Sequence, residues 1–377
     1  MGLYFLIFLA AFLVVFICTP PLIRVSVWKN LLDVPGDLRK LHTKSIPTMG
    51  GVMIFAGTIF SFMLLLPSIA NTLKSDAEAN LVISDSSYLI AALMVLFFIG
   101  IKDDIIGTAA IFKLLGHILV AMILVLMGNI RITGFHGLFG VYTIPYWGSV
   151  FLSIFTYVVI INAINFIDGI DGLAAGIGIL GSLSFGIWFA FANSPVLAAL
   201  AFALCGALTG FLIYNFSPAK IFMGDSGSLV IGLILCVLGI KLIEYDPAQL
   251  PSSVVGISRP LFVMGVLAYP LLDTLRIVIY RILKGMSPLA ADRNHIHHAL
   301  LDMKLNHRQV SLILYSFTFT ITGLSVLVSG IGMNSTMAFI IVGGLAVIGM
   351  QIPLIIRARN RKNKTGIVKE MERPQAI

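Results

Sequence analysis

Six aspartates lie at the edges of apolar runs, where their carboxylates could carry chemistry. The segments are FFIGIKDDIIG with Asp103 and Asp104, INAINFIDGIDGL with Asp168 and Asp171, KIFMGDSGS with Asp225, and YPLLDTLR with Asp273. A carboxylate at the edge of a membrane span is costly, and such residues are enriched at functional sites. The pattern predicts one acidic site, although KDD would also suit a solvated helix end and DGIDG a turn.

A basic segment, ADRNHIHH at 291–298, is the second candidate. It contains Arg293, His295, His297 and His298. Guanidinium and imidazolium groups are suitable donors to phosphate oxygens. A zinc site is the alternative for the three histidines, but no nearby Cys or Glu completes a shell of four ligands. The segment is therefore interpreted as an anion-binding element.

Carboxylates that gather at one place repel each other unless a cation lies among them. Mg²⁺ is the expected ion, with Mn²⁺ as the alternative, because Mg²⁺ combines one or two carboxylates with phosphate oxygens of a substrate. The basic segment would neutralise a diphosphate from the other side. These residue types predict phosphoryl transfer from an activated nucleotide to an acceptor dissolved in the bilayer.

Three other kinds of site could use some of the same residues. A calcium loop that began at Asp168 would need Glu at its twelfth position, which is Ile179. An intramembrane serine protease would use Ser226 of GDSGS with a base, and His117 is the only histidine well inside an apolar run. An ion-coupled transporter would place its carboxylates near the bilayer midplane. The carboxylates lie at span edges instead, which favours an enzyme.

The elements that position these residues are membrane helices. Of 377 residues 58% are hydrophobic and 11% are charged, against roughly 25% charged in soluble domains, which excludes a soluble or disordered chain. Runs of about 20 apolar residues predict an all-α polytopic membrane protein with about eleven spans. The predicted spans are 3–23, 50–70, 87–101, 112–128, 147–164, 172–192, 195–214, 227–243, 260–280, 310–329 and 337–356. The three cysteines lie in apolar runs without close spacing, so no disulfide or zinc knuckle is expected.

The distribution of Lys and Arg predicts the orientation, because loops rich in these residues stay in the cytoplasm. Of 25 such residues, one side of the predicted bundle carries only Lys74, Arg131, Lys241 and Arg259. The N-terminus is predicted outside and the C-terminus in the cytoplasm, with one membrane domain at 1–356 and a basic tail at 357–377. The net charge of +8 thus reflects topology, and no nucleic-acid partner is expected.

Five motifs in consistent order carry a family resemblance. They are PTMGG at 47–51, KDD at 102–104, NAINFIDGIDGLAAG at 162–176, FMGDSGS at 222–228 and ADRNHIHH at 291–298. Together they resemble the bacterial polyprenyl-phosphate N-acetylhexosamine-1-phosphate transferases. HIHH and the eleventh span are similar to the WecA/TagO branch, and PTMGG is more similar to the peptidoglycan branch, MraY, which is the alternative.

The resemblance implies transfer of N-acetylglucosamine 1-phosphate from UDP-GlcNAc to undecaprenyl phosphate, with release of UMP. This reaction starts a cell-surface glycan at the cytoplasmic face of the bacterial inner membrane. A direct attack and an aspartyl-phosphate intermediate both remain open, as does a homodimer.

The resemblance also implies roles for individual residues. Asp225 and Asp104 would bind or organise Mg²⁺, and Asp103 would deprotonate or position the lipid phosphate. The nucleotide-sugar residues would be Asn165, Asp168, Asp171, Arg293, His295, His297 and His298. Lys44 and His42 are the candidates for the lipid phosphate. Asp273 with Arg276 is interpreted as an i,i+3 pair that steadies the ninth span.

Overall fold

A computed structural model describes residues 1–33, 45–70, 76–252, 254–287 and 294–371. The helices are α1 (Gly2–Trp28), α2 (Gly50–Ala70), α3 (Asp76–Ile106), α4 (Ala110–Met122), α5 (Tyr146–Phe166), α6 (Leu173–Phe191), α7 (Pro195–Asn215), α8 (Asp225–Ile243), α9 (Arg259–Val266), α10 (Ala268–Leu283), α11 (Ile296–Leu301), α12 (His307–Gly330) and α13 (Ser335–Met371). A π-helical turn, Ile123–Met127, continues α4, and short 3₁₀ turns lie at Leu138–Gly140 and Pro247–Gln249. Two short strands, β1 (Leu32–Asp33) and β2 (Ile46–Pro47), pair antiparallel, with Leu32 opposite Pro47.

The predicted all-α membrane architecture is confirmed. Within the described ranges, nine helices are long and apolar enough to cross a membrane, or ten if α9 and α10 form one span. The predicted span 87–101 lies inside α3, and the predicted tail continues α13 as a helix to Met371. The count of eleven spans stays a prediction.

The predicted span at 260–280 corresponds to two helices, α9 and α10. The chain bends by 75° between α9 and α10. Pro270 is the third residue of α10, where proline lacks the N–H that a continuous helix would use and clashes with the preceding turn. An apolar run shows no such break, because hydropathy does not register backbone hydrogen bonds.

Helix α8 is the centre of the bundle. Every residue from Ser226 to Ile240 is buried, and the helix packs against α5, α3 and α2. Gly232 lies so close to α5 that a Cβ would be 2.8 Å from the Ile161 Cα. A helix that is apolar on all sides is expected in such a buried position. Its N-terminal N–H groups, which have no partner within the helix, must find partners inside the protein.

The two ends of the bundle carry different polar groups. At one end, Asp103 of α3, Lys113 of α4 and Asp225 of α8 meet in a network of ion pairs. At the other end, Lys241 pairs with Asp85, and other polar side chains form a separate network. The charge distribution predicts that the first end faces the cytoplasm, and this orientation stays a prediction.

Candidate active site

Asp104 attaches the end of α3 to the beginning of α8. Its Oδ1 accepts a hydrogen bond from the Asp225 amide at 2.7 Å, and its Oδ2 accepts bonds from the Ser226 amide at 3.1 Å and the Ser226 hydroxyl at 2.6 Å. A carboxylate is favourable there, because it satisfies free N–H groups and faces the positive end of the helix dipole. Gly224, at φ +71°, leaves the necessary room: a Cβ there would lie 2.6 Å from both Asp104 oxygens.

The PTMGG and FMGDSGS motifs form one structural unit. The Phe222 amide donates to the Pro47 carbonyl at 2.7 Å, and the Gly50 amide donates to the Phe222 carbonyl at 3.0 Å. Gly51 donates to the Met223 carbonyl at 2.8 Å, and a Cβ on Gly51 would overlap the backbone of α8. The glycines thus allow the N-terminus of α2 to lie directly against the N-terminus of α8, which holds Asp225 in place.

Asp103, Asp104 and Asp225, here called the acidic triad, lie close together. One carboxylate oxygen from each of the three residues lies within 4.8 Å of the other two, and no other such group of potential metal ligands occurs among the described residues. Lys113 Nζ lies between two of them, at 2.7 Å from both Asp103 Oδ2 and Asp225 Oδ2. Lys113 was not among the predicted site residues. The available signal was a lysine in the first turn of an apolar membrane helix, which is costly unless the charge is used.

The acidic triad fits a divalent metal in ligand type and in charge. Three carboxylates and one ammonium carry a formal charge of −2, which a divalent cation would neutralise. Carboxylate oxygens are the ligands that Mg²⁺ prefers in proteins. Since Asp104 already accepts three hydrogen bonds, Asp103 and Asp225 are the better-placed ligands, with Asp104 holding Asp225.

Asn165, in the last turn of α5, orients Asp225. Its Nδ2 donates to Asp225 Oδ1 at 2.9 Å and to Ser228 Oγ at 2.9 Å. Ser228 in turn donates to the Gly224 carbonyl at 3.1 Å. Both oxygens of Asp225 therefore have a defined partner, Asn165 on one and Lys113 on the other. A side chain predicted to bind nucleotide thus lies beside the predicted metal ligand.

The two aspartates of the DGIDG turn have different surroundings. Asp168 accepts a bond from the Gly224 amide, and burial, together with the negative charges of Asp225 and Asp104, raises its pKa well above the usual range. Burial also acts to raise the pKa of Asp171, but contacts with His307 and the Ala219 amide outweigh it, so this pKa lies below its ordinary value. Asp168 therefore lies next to the acidic triad, whereas Asp171 is held by α12.

Asp273 anchors the histidine segment. It is fully buried, and its Oδ2 lies 2.9 Å from His295 Nδ1. Its Oδ1 accepts bonds from the Ile296 amide at 3.1 Å and from Arg276 at 3.0 Å, and Arg276 also donates to the Asn294 carbonyl. The predicted i,i+3 pair of Asp273 and Arg276 is present, and Asp273 has further partners outside this helix. A buried carboxylate needs several donors, and here most of them come from a different segment.

His297 connects the histidine segment to the DGIDG turn. Its ring is buried and parallel to that of His295, with centroids 5.4 Å apart. A Cβ on Gly169 would lie 3.2 Å from His297 Nε2, so the two segments touch. Burial, together with the neighbouring charge of His298, lowers the pKa of His297 well below its usual range. A neutral His297 can donate one hydrogen bond to an anion, in contrast to the doubly donating imidazolium that the sequence analysis expected.

The alternatives to this site lack the required contacts. Ser226 is buried and donates to Asp104, while His117 Nδ1 lies 3.0 Å from Asn162 Nδ2, so the two do not form a nucleophile and base pair. His295 and His297 direct their Nδ1 atoms toward Asp273 and Tyr269. Three predicted site residues, His42, Lys44 and Arg293, lie outside the described residues.

Comparison with known proteins gives an independent view of the chain. Residues 86–243 match the family described as Glycosyl transferase family 4. The chain is 31% identical to the probable undecaprenyl-phosphate N-acetylglucosaminyl 1-phosphate transferase of Bacillus subtilis strain 168, over 97% of this chain and 93% of that protein. It is 32% identical to the decaprenyl-phosphate N-acetylglucosaminephosphotransferase of Mycobacterium leprae strain TN, over 89% and 87%. It is 29% identical to the undecaprenyl-phosphate alpha-N-acetylglucosaminyl 1-phosphate transferase of Escherichia coli strain K12, over 77% and 74%.

Proposed function

This chain belongs to glycosyl transferase family 4, among polyprenyl-phosphate N-acetylglucosamine 1-phosphate transferases, and on that basis we propose that it transfers N-acetylglucosamine 1-phosphate from UDP-GlcNAc to undecaprenyl phosphate. The observation that carries the proposal is the position of the acidic triad. It lies at one end of a membrane bundle, connected through Asp168 and Gly169 to a segment rich in histidine. This arrangement offers a cation site and an anion site to a diphosphate at the membrane edge.

In the proposed reaction, an oxygen of the lipid phosphate attacks the sugar-linked phosphorus of UDP-GlcNAc. A new P–O bond forms as the bond from that phosphorus to the UMP oxygen breaks, and UMP leaves. Bound Mg²⁺ would supply positive charge to the diphosphate and the leaving group, and Asp103 and Asp225 would hold it with Asp104 beside them. Lys113 would offset one of the three negative charges of the triad, because it already pairs with two of its members.

Each polar segment has a distinct task in this proposal. Among the contacts described above, Asp103 accepts a hydrogen bond from Lys113 alone. It is therefore the candidate to position the lipid phosphate or accept its proton. His295 and His297 would face the sugar diphosphate, and their positions are fixed by Asp273 and Tyr269. Asp168 and Asn165 would organise the nucleotide end. The triad, the turn and the histidine segment come from one chain, so the reaction is compatible with a homodimer but does not require one.

A direct assay tests this function. Protein purified in detergent is incubated with UDP-GlcNAc, undecaprenyl phosphate and Mg²⁺, and both UMP and the lipid-linked sugar are measured. We expect equal amounts of the two products and no reaction in EDTA. UDP-MurNAc-pentapeptide is tested in parallel: reaction with it alone would move the chain to the peptidoglycan branch, and reaction with neither nucleotide would refute the proposed transfer.

The proposed orientation needs a separate measurement. We place the acidic triad at the cytoplasmic face of a bacterial inner membrane, because this end of the bundle belongs to the Lys- and Arg-rich side. In a variant whose three native cysteines are replaced by alanine, a cysteine introduced at exposed Ile106, near the triad, should be labelled by a membrane-impermeant maleimide only after the membrane is opened. A cysteine at exposed Tyr142, in a predicted outer loop, is the control and should be labelled in intact cells. The reverse pattern would contradict the orientation.

A further inference from the structure

One face of α12 contacts the DGIDG turn over three helical turns. The face consists of His307, Ser311 and Tyr315, which are spaced by four residues and therefore lie on the same side of the helix; we call it the α12 stripe. His307 Nδ1 lies 3.4 Å from Asp171 Oδ1, and the Ser311 hydroxyl donates to the Asp171 carbonyl at 3.0 Å. The Tyr315 hydroxyl donates to the carbonyl of the next residue, Gly172.

Two glycines allow α12 to come this close to the turn. Gly172 adopts φ +78°, a conformation that favours glycine. Four residues later, a Cβ on Gly176 would overlap the Tyr315 ring. Both glycines of the GLAAG sequence are therefore needed for the same contact, the hydrogen bond from Tyr315 to the Gly172 carbonyl.

The opposite side of the turn is fixed by the segment that follows α7. The Gly172 amide donates to Asn215 Oδ1 at 3.0 Å, and the Ala219 amide donates to Asp171 Oδ2 at 3.1 Å. With His307 near the other oxygen, both Asp171 carboxylate oxygens are in contact with protein groups. Asp171 thus acts in the structure as an anchor for the turn.

The anchored turn carries groups that belong to the proposed site. Asp168 lies three residues before Asp171 and accepts a bond from Gly224, which precedes the metal-ligand candidate Asp225. Gly169 touches His297. A shift of the Asp171–Gly172 peptide would therefore move Asp168 relative to the triad and open the contact with the histidine segment.

We propose that the α12 stripe positions the DGIDG turn for the UDP-sugar, so that Ser311 and Tyr315 set the affinity for the nucleotide sugar without touching it. The inference rests on the proposed function and deepens it. It assigns these two hydroxyls as positioning residues for one of the two substrates. Binding of the lipid phosphate, which the proposed function assigns to Asp103, should be insensitive to them.

The test uses two conservative variants, Tyr315→Phe and Ser311→Ala. Tyr315→Phe keeps the ring that fills the space against Gly176 and removes only the hydroxyl. A buried hydrogen bond of this kind is typically worth a few-fold to about tenfold in an equilibrium. We expect each variant to raise the KM for UDP-GlcNAc by about 3- to 10-fold, while the KM for undecaprenyl phosphate changes less than about twofold. Ser316→Ala is the matched control, because Ser316 lies on the exposed side of α12 and its hydroxyl donates to the Leu312 carbonyl of the same helix.

Two results would overturn the inference. The first is an unchanged KM for UDP-GlcNAc in both variants. The second is an equal rise in both KM values with a lower melting temperature, which would indicate a general structural role. Binding of UMP to each variant, measured by calorimetry without lipid, separates this inference from the proposed function. If the wild type released no UMP from UDP-GlcNAc but bound UMP with an affinity that Tyr315→Phe lowers, the function would fail and the positioning would stand.

Discussion

Lys113 offers the sharpest test of the site, because among the described residues it is the only lysine that contacts the acidic triad. Lys113→Met removes the charge and keeps a long side chain. Its Nζ lies 2.7 Å from an oxygen of Asp103 and from an oxygen of Asp225, and all three side chains are about four-fifths buried. We expect the variant to bind Mg²⁺ more tightly and to turn over more slowly.

The magnitude follows from the charges. At about 4 Å, two unit charges interact by about 1 kcal/mol in water and by about 4 kcal/mol near a protein surface. A divalent cation carries two charges, so the ammonium would repel it by twice the energy in water, about 2 kcal/mol. Removal of that repulsion corresponds to a Mg²⁺ midpoint about 30-fold lower. Turnover should fall about 100-fold or more, as when one preorganised electrostatic group is removed from an active site.

The measurement is the Mg²⁺ dependence of UMP release in the variant and the wild type. Lys241→Met is the matched control, because Lys241 forms a similarly exposed ion pair with Asp85 at the opposite end of the bundle. This control should keep the wild-type Mg²⁺ midpoint and turnover. A Lys113→Met protein that folds normally, as judged by its melting temperature, but shows a wild-type midpoint would refute the assignment of Lys113 to the cation site.

Three further predictions concern aspartates of the site. Asp225→Asn should lower turnover below detection with a melting temperature within a few degrees of wild type, because the amide can still accept from Asn165; residual activity above about 1% would exclude Asp225 as a metal ligand. Asp273→Asn should raise the KM for UDP-GlcNAc about tenfold or more, since His295 loses a charged partner, and an unchanged KM would separate the histidine segment from substrate binding. The raised pKa of Asp168 means that the folded state binds its proton more tightly than the unfolded state, so stability falls as pH rises above about 4. Asp168→Asn in EDTA should therefore raise the melting temperature at pH 8 but not at pH 4, and an equal change at both pH values would contradict this.

Much of the architecture could be predicted from hydropathy and motifs, because both are local. The apolar runs indicate each long helix among the described residues, and the aspartates of KDD and FMGDSGS meet as the motifs suggest. The contact between Lys113 and Asp225 spans 112 residues, and no local pattern indicates which lysine faces which carboxylate. Asp273 shows the same limit: its neighbour in sequence, Arg276, is predictable, but its partner His295 lies 22 residues away.

The structure shows that protein groups themselves stabilise the clustered carboxylates. From sequence alone, a cation appeared necessary to make such a cluster of carboxylates tolerable. In the folded chain, Asp104 is stabilised by the free amides of α8, and Lys113 neutralises part of the charge on Asp103 and Asp225. A helix N-terminus and an ammonium together offset much of the repulsion, so the bundle should fold before Mg²⁺ arrives. In the proposed function, Mg²⁺ would neutralise the remaining charge of about −2, which would otherwise repel a diphosphate substrate. Mg²⁺ would then serve substrate binding and turnover, and folding would not depend on it.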